Sequence, residues 1–328
     1  MTRRTREALL SAAVSIGITL ATLAGLEVVL RVADFRELRE STNGQSLKFA
    51  YDAELGWLPE ANSSSTITTF RTTHFKHNSL GLRDDEVTPN GKPTIMFLGD
   101  SFVWGLDSEA NERFTELLKP RYPDHNILAA GIPGYGTDQE YLLLKRLWPK
   151  VRPDVVVLIF CAGNDRLDNT SNIRYDNYYK PYFATQPDGS LVLMGEPVPR
   201  SHLLYFRDNR LVRNLWLARL ATDAYVRLRD GPVSVPDPSE KLVAKIREFV
   251  EGNGARFLVG IQSHDKPLAE FLETQGIAFT SLDGAAYYTQ GGFGPHWTPE
   301  GQQFVADRIE RLLAANNVVR SSPAGQDR

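Results

Sequence analysis

The run Asp154-Val155-Val156-Val157-Leu158-Ile159-Phe160 constrains this chain more than any other stretch. An unbroken apolar and largely β-branched run of that length suits a strand buried on both faces, which requires a parallel sheet covered by helices on each side. Four other segments fit the same role: Thr94–Leu98, Asn126–Ala130, Arg256–Ile261 and Ile277–Leu282. Helical stretches alternate with them, at Phe114–Leu118, along Tyr141, Leu144 and Leu147, up to about Glu251, at Lys266–Gln275, and along Phe304, Ile309, Leu312 and Leu313. Strands alternating with helices predict an α/β fold with a five-stranded parallel sheet and helices on both faces.

The N-terminus sets a second constraint. Three arginines, Arg3, Arg4 and Arg6, precede 19 residues without a charge, Ala8 to Leu26. At about 1.5 Å per residue that stretch spans roughly a bilayer core. Its length favours an uncleaved single-pass anchor over a signal peptide, whose apolar core usually runs about 7–15 residues. The leading arginines place the N-terminus in the cytoplasm and the remainder outside it, periplasmic or extracellular. The expected organisation is residues 1–7 cytoplasmic, 8–32 anchor, and 33–90 a juxtamembrane and extended packing segment. A main domain covers 91–316, with a lid-like insertion at about 169–238, and a disordered tail covers 317–328.

Composition excludes some classes. Net charge is -3, which gives no footprint for nucleic acid. Cys161 is the only cysteine, so neither an intrachain disulfide nor a cysteine-built metal site is available. His74 and His77 fall on opposite faces of an extended segment, make no shared metal site and read as surface residues, as do His125, His202 and His264. No metal or cofactor is expected. The glycines of Gly131-Ile132-Pro133-Gly134-Tyr135-Gly136 lack the dinucleotide spacing, and Thr137-Asp138-Gln139-Glu140 behind them reads as a capping box.

Four features converge on the carboxyl edge of the sheet. Gly99-Asp100-Ser101-Phe102 follows the first core strand and presents a hydroxyl. Gly134 follows the second, Asn164 in Cys161-Ala162-Gly163-Asn164-Asp165 follows the third, and His296 lies in the loop before the last helix. Acyl transfer needs this inventory: a hydroxyl is a poor nucleophile until a base takes its proton, and the tetrahedral intermediate needs fixed donors. The amides of Ser101 and Gly134 and the side chain of Asn164 are candidate donors.

These blocks, in this order over residues 94 to 315, resemble the SGNH hydrolases, the GDSL-like esterase superfamily. The resemblance implies a flavodoxin-like three-layer fold and hydrolysis or transfer of acyl esters. It implies Ser101 as nucleophile, Ser101, Gly134 and Asn164 as the oxyanion hole, and His296 as base. The chain departs from the family in three places. Gly163-Asn164-Asp165 lacks the intervening residue of the G-x-N-D block, Ala129 replaces a frequent asparagine, and Phe293 stands where the family carries the aspartate that orients the histidine. Asp283, in the same loop, is the candidate replacement, and a backbone carbonyl is the alternative. Tyr178, Tyr179 and Tyr182 of the insertion are candidate lid residues over the substrate. The leading expectation is a serine esterase removing acyl groups, such as acetyl, from an extracytoplasmic saccharide or lipid. An O-acyltransferase acting on an envelope polysaccharide is the alternative, and a catalytically inactive saccharide-binding relative the second.

Overall fold

A computed structural model describes residues 2–39, 47–87, 90–175, 178–289 and 294–318. Phe293 and the tail from 319 onward lie outside the described residues. In chain order the main elements are helix α1 (Arg3–Ala33) and two antiparallel hairpins, β1 (Phe49–Asp52) with β2 (Gly56–Pro59) and β3 (Ser64–Thr68) with β4 (Thr72–Lys76). Next come β5 (Thr94–Gly99), α2 (Ser101–Trp104), α3 (Phe114–Leu118), β6 (Asn126–Gly131), α4 (Thr137–Val151), β7 (Val155–Phe160) and α5 (Asp165–Asp168). The inserted stretch holds β8 (Ile173–Arg174), β9 (Tyr178–Tyr179), β10 (Tyr182–Thr185), β11 (Leu191–Met194), α6 (His202–Asp208), α7 (Arg210–Asn214) and α8 (Trp216–Arg229). The chain closes with α9 (Ser239–Gly252), β12 (Arg256–Ile261), α10 (Lys266–Gln275), β13 (Phe279–Ser281) and α11 (Pro299–Ala315).

The five predicted core strands form one sheet in the order β13-β12-β7-β5-β6, every pair parallel. That is the flavodoxin order, whose reversal of winding lies between β5 and β7. Ile95 and Phe97 of β5 and Val155, Val157 and Ile159 of β7 join Phe114, Leu118, Trp297, Val305 and Ile309 in one buried cluster, so α3 and α11 cover that face. The pleat turns Met96, Leu98, Val156 and Leu158 to the opposite face, where α4 packs on β5 and α9 on β12. With both faces covered, the continuous apolar runs need no polar alternation.

The chain separates into two compact units, residues 1–42 with 200–232, and 43–199 with 233–328. The stretch 169–238 therefore divides: its first part belongs with the α/β unit, its helices with α1. In the smaller unit Leu38, Phe206 and Val212 form a core flanked by Leu30, Leu203 and Trp216. Helix α1 is long and apolar enough to cross a membrane.

Three local expectations need correction. The capping box does not form: Gly136 is the N-cap, α4 starts at Thr137, and Glu140 is buried. His77 and His202 are buried instead of lying on the surface, His77 between Ser63 Oγ and Trp104 Nε1, and His202 beside Asp223. Val318, assigned to the tail, is buried in the main core.

Candidate active site

Ser101 is delivered by a strand that stops abruptly. β5 ends at Gly99, where an added Cβ would lie 2.5 Å from the Val103 side chain. Asp100 then caps the short helix α2, its Oδ1 accepting the Phe102 amide at 2.9 Å. This leaves Ser101 at the carboxyl edge next to the reversal of winding, with Oγ 2.8 Å from His296 Nε2. His296 is held by its neighbours in space: the Phe102 ring lies 4.9 Å from the imidazole, and Trp297 beside it is fully buried.

The other imidazole nitrogen decides the tautomer. Nδ1 lies 3.1 Å from the Gly294 carbonyl and 3.4 Å from Asp107 Oδ2, both acceptors. Nδ1 therefore carries the proton and Nε2 is free to accept from the serine hydroxyl. The carboxylate facing His296 is Asp107, and not Asp283. Asp283 stays at the end of β13, where its Oδ1 accepts the Gly284 amide at 3.1 Å. Asp107 sits in the turn after α2 with a φ of 63°, a left-handed conformation that aspartate tolerates better than most residues. The Thr69 hydroxyl, between β3 and β4, donates to Asp107 Oδ1.

That turn is gripped from outside. The buried Arg83 guanidinium donates to the carbonyls of Gly105 at 2.7 Å and Ser108 at 2.8 Å, and lies 4.5 Å from the Trp104 ring centroid. Burial, with Arg113 nearby, lowers the Arg83 pKa to about 9, so it remains charged at neutral pH. Trp104 Nε1 in turn donates to His77 Nε2 at 3.2 Å. Thr69, His77 and Arg83 all come from the segment ahead of the core strands. Sequence reasoning missed Asp107, Thr69 and Arg83. No local pattern marks them, because their roles come from contacts between distant parts of the chain.

Gly134 borders the same cleft with a φ of 82°, and a Cβ there would lie 2.4 Å from the Tyr175 ring. Only glycine fits. Asn164 Nδ2 donates to Asp168 Oδ2 at 3.0 Å and to Asp100 Oδ2 at 3.3 Å. Ser101, Gly134, Asn164 and His296 thus border one cleft of about 420 Å3, together with Phe102, Arg174, Tyr175, Gln262 and Tyr287 among others. The three tyrosines proposed as a lid do not line it. Tyr178 and Tyr179 are buried, with Tyr178 5.8 Å from Trp57, and half-buried Tyr182 pairs with Met194 in a hairpin. Tyr175 is the tyrosine of that stretch that reaches the cleft.

Behind the serine lies a group of buried acids: Asp100, Asp138, Glu140, Asp165 and Asp168. Lys180 is the buried cation among them and pairs with Asp138. Burial and the neighbouring carboxylates push Glu140 and Asp165 well above the usual carboxylate range, and burial raises Asp168 to about 6. Asp100, Cys161 and Asp165 bring three ligand atoms within 4.8 Å of one another. Burial and adjacent carboxylates raise the Cys161 thiol and Asp165, which disfavours the deprotonated donors a cation needs.

The model of the GDSL-like lipase/acylhydrolase family matches residues 97–319. Among solved structures, a member of the lipolytic protein G-D-S-L family from Veillonella parvula aligns at 12% identity over 67% of this chain and 98% of its own, with a TM-score of 0.40. A carbohydrate acetylesterase family member from Sinorhizobium meliloti aligns at 13% identity over 69% of this chain and 100% of its own, with a TM-score of 0.37. No curated protein sequence matches the chain.

Proposed function

The chain belongs to the GDSL-like lipase/acylhydrolase family, and on that premise we propose that it is a serine ester hydrolase. Its substrate in this reading is a small acyl group, such as acetyl, esterified to a saccharide or lipid outside the cytoplasm, and α1 holds the enzyme at the membrane. The observation that carries the reading is the 2.8 Å contact between Ser101 Oγ and His296 Nε2, with acceptors at Nδ1.

In this mechanism Nε2 takes the hydroxyl proton as Oγ attacks the ester carbonyl carbon. The oxyanion is received by the amides of Ser101 and Gly134 and by Asn164 Nδ2, which gives up its longer bond to Asp100. Collapse breaks the carbon–oxygen bond to the alcohol, which leaves with the proton held on His296. Water then enters by the same route and releases the acid. The imidazolium formed at each step is stabilised by Asp107. That support argues against an inactive relative, because the acid missing from the family position is supplied from another turn. The cleft volume lies within the range of small-molecule sites, and its mixture of Tyr175, Tyr287, Gln262 and Arg174 suits a polar ring next to an acyl group.

The test is release of acid from a short-chain aryl ester by the full chain in detergent. The expected result is turnover by the parent protein and loss of at least about 10⁴-fold in Ser101→Ala. Equal turnover by the two proteins overturns the reading.

A further inference from the structure

The end of the apolar segment is tied to the helices of the insertion within one compact unit. Glu27, the first charged residue after Leu26, accepts the amides of Trp216 at 3.0 Å and Leu217 at 2.9 Å. Its carboxylate thereby caps the N-terminus of α8. One turn further, the Arg31 guanidinium donates to the Asn214 carbonyl at 2.5 Å. The buried Arg219 donates to the carbonyls of Leu38 at 2.8 Å and Val212 at 3.2 Å. The junction of α7 and α8 is therefore held at the level where the uncharged segment ends.

What this junction exposes is unusual for a surface facing water. Leu211 is 63% exposed and Leu215 is 41% exposed. They are four residues apart, and the Leu215 amide donates to the Leu211 carbonyl at 3.0 Å, which closes the last turn of α7 between them. Arg210 and Arg213, both exposed, flank them. Residues 200–232 hold seven arginines against three aspartates, in a chain whose net charge is -3. Exposed leucines rimmed by arginines are the composition of an element that lies in the boundary between headgroups and acyl chains.

We propose that the α7–α8 junction is an interfacial foot that rests on the anionic phospholipid surface of the bilayer crossed by α1. Leu211 and Leu215 enter the headgroup boundary, and Arg210 and Arg213 meet the phosphates. The proposal rests on the reading of α1 as a membrane span. Under it the smaller unit has two attachments to the bilayer, so the helices that follow α1 are held in the plane of the membrane instead of swinging on a tether.

The test uses the full chain reconstituted in vesicles of phosphatidylcholine, with or without phosphatidylglycerol. A nitroxide is placed at Leu215→Cys, at Leu211→Cys as a second reporter, or at Ile16→Cys, and Cys161 is buried away from the label. Depth is read from collisions with oxygen and with an aqueous nickel chelate. The expected result is deep burial at Ile16, and shielding of 215 and 211 from nickel by about fivefold in the anionic vesicles. Arg210→Gln with Arg213→Gln should remove most of that shielding. Deep burial at 16 with full hydration at 215 and 211 overturns the foot and leaves the anchor standing. Equal shielding in both lipids overturns the recognition of anionic headgroups. Hydration at 16 overturns the anchor reading and the foot with it.

Discussion

Ser101, Gly134 and Asn164 follow the carboxyl ends of β5, β6 and β7, whereas His296 lies in the loop ahead of α11 and Asp107 in the turn after α2. The first three owe their positions to sheet register: Gly99 pairs with Gly131, and Leu98 with Leu158, so the residues just beyond converge without help from side chains. The other two are brought together by contacts between remote side chains. Phe102 and Trp297 seat the imidazole, Thr69 donates to Asp107, and Arg83 holds the turn between them. The proposed nucleophile and oxyanion donors thus belong to the topology. The carboxylate beside His296 belongs to packing, and in the proposed mechanism it stands in for the family's usual aspartate from a different turn.

The largest effect that sharpens this contrast is Asp107→Asn. An asparagine keeps the shape and removes the charge that stabilises the imidazolium, and the loss in kcat on an aryl ester should approach about 10³–10⁴-fold. Asp283→Asn should stay within about twofold, because its carboxylate accepts the neighbouring Gly284 amide in its own turn. A second measurement addresses the topological side: Asn164→Ala should cost about 10²–10³-fold in kcat with little change in KM, the pattern of a donor used only in the transition state.

Smaller effects test the packing side. Thr69→Val removes one donor to Asp107 and should cost about tenfold in kcat, with global stability within about 1–2 kcal/mol of the parent by denaturant titration. Arg83→Met leaves the carbonyls of Gly105 and Ser108 without their donor and should lower stability by about 2–4 kcal/mol, together with activity. The remaining effect, away from the cleft, is in pH dependence. Burial lowers the His77 pKa from 6.5 to about 4, so above pH 6.5 its contribution to stability is fully present, and it is lost as pH falls toward 4. His202, lowered to about 4, acts in the same direction. Asp168, raised to about 6, acts oppositely, because the folded state then holds a proton that the unfolded chain has released. His77→Gln should flatten the acid side of the stability curve by no more than about 3 kcal/mol between pH 7 and pH 4, read by denaturant titration at each pH.

The same contrast explains how much was legible in the amino-acid sequence. The five core strands and their alternation with helices follow from burial on both faces, which leaves an unbroken apolar run such as Val155–Phe160. The Thr298-Pro299-Glu300 run carries a local helix-start signal, and Thr298 caps α11 by accepting the Gly301 amide at 3.2 Å. Thr137–Glu140 carried the same local signal and misled, because tertiary burial drew Glu140 among other acids. Tyr178 and Tyr179 looked like a lid by composition, yet both are buried, Tyr178 in an aromatic cluster around Trp57, a residue more than a hundred positions earlier. Asp107 had no signal at all. Its neighbours Thr69 and His296 are 38 and 189 positions away in the chain, and only the folded hairpin of β3 and β4 brings Thr69 within reach.

In the proposed mechanism Asp107 serves His296 in the place of the family's aspartate. The most direct measurement is the rate at which a fluorophosphonate labels Ser101 in the parent chain, in Asp107→Asn and in Asp283→Asn, since it needs no knowledge of the natural substrate. Labelling should slow by at least about 10²-fold in Asp107→Asn and stay unchanged in Asp283→Asn. Parent-like labelling in Asp107→Asn, or a loss confined to Asp283→Asn, would contradict the mechanism.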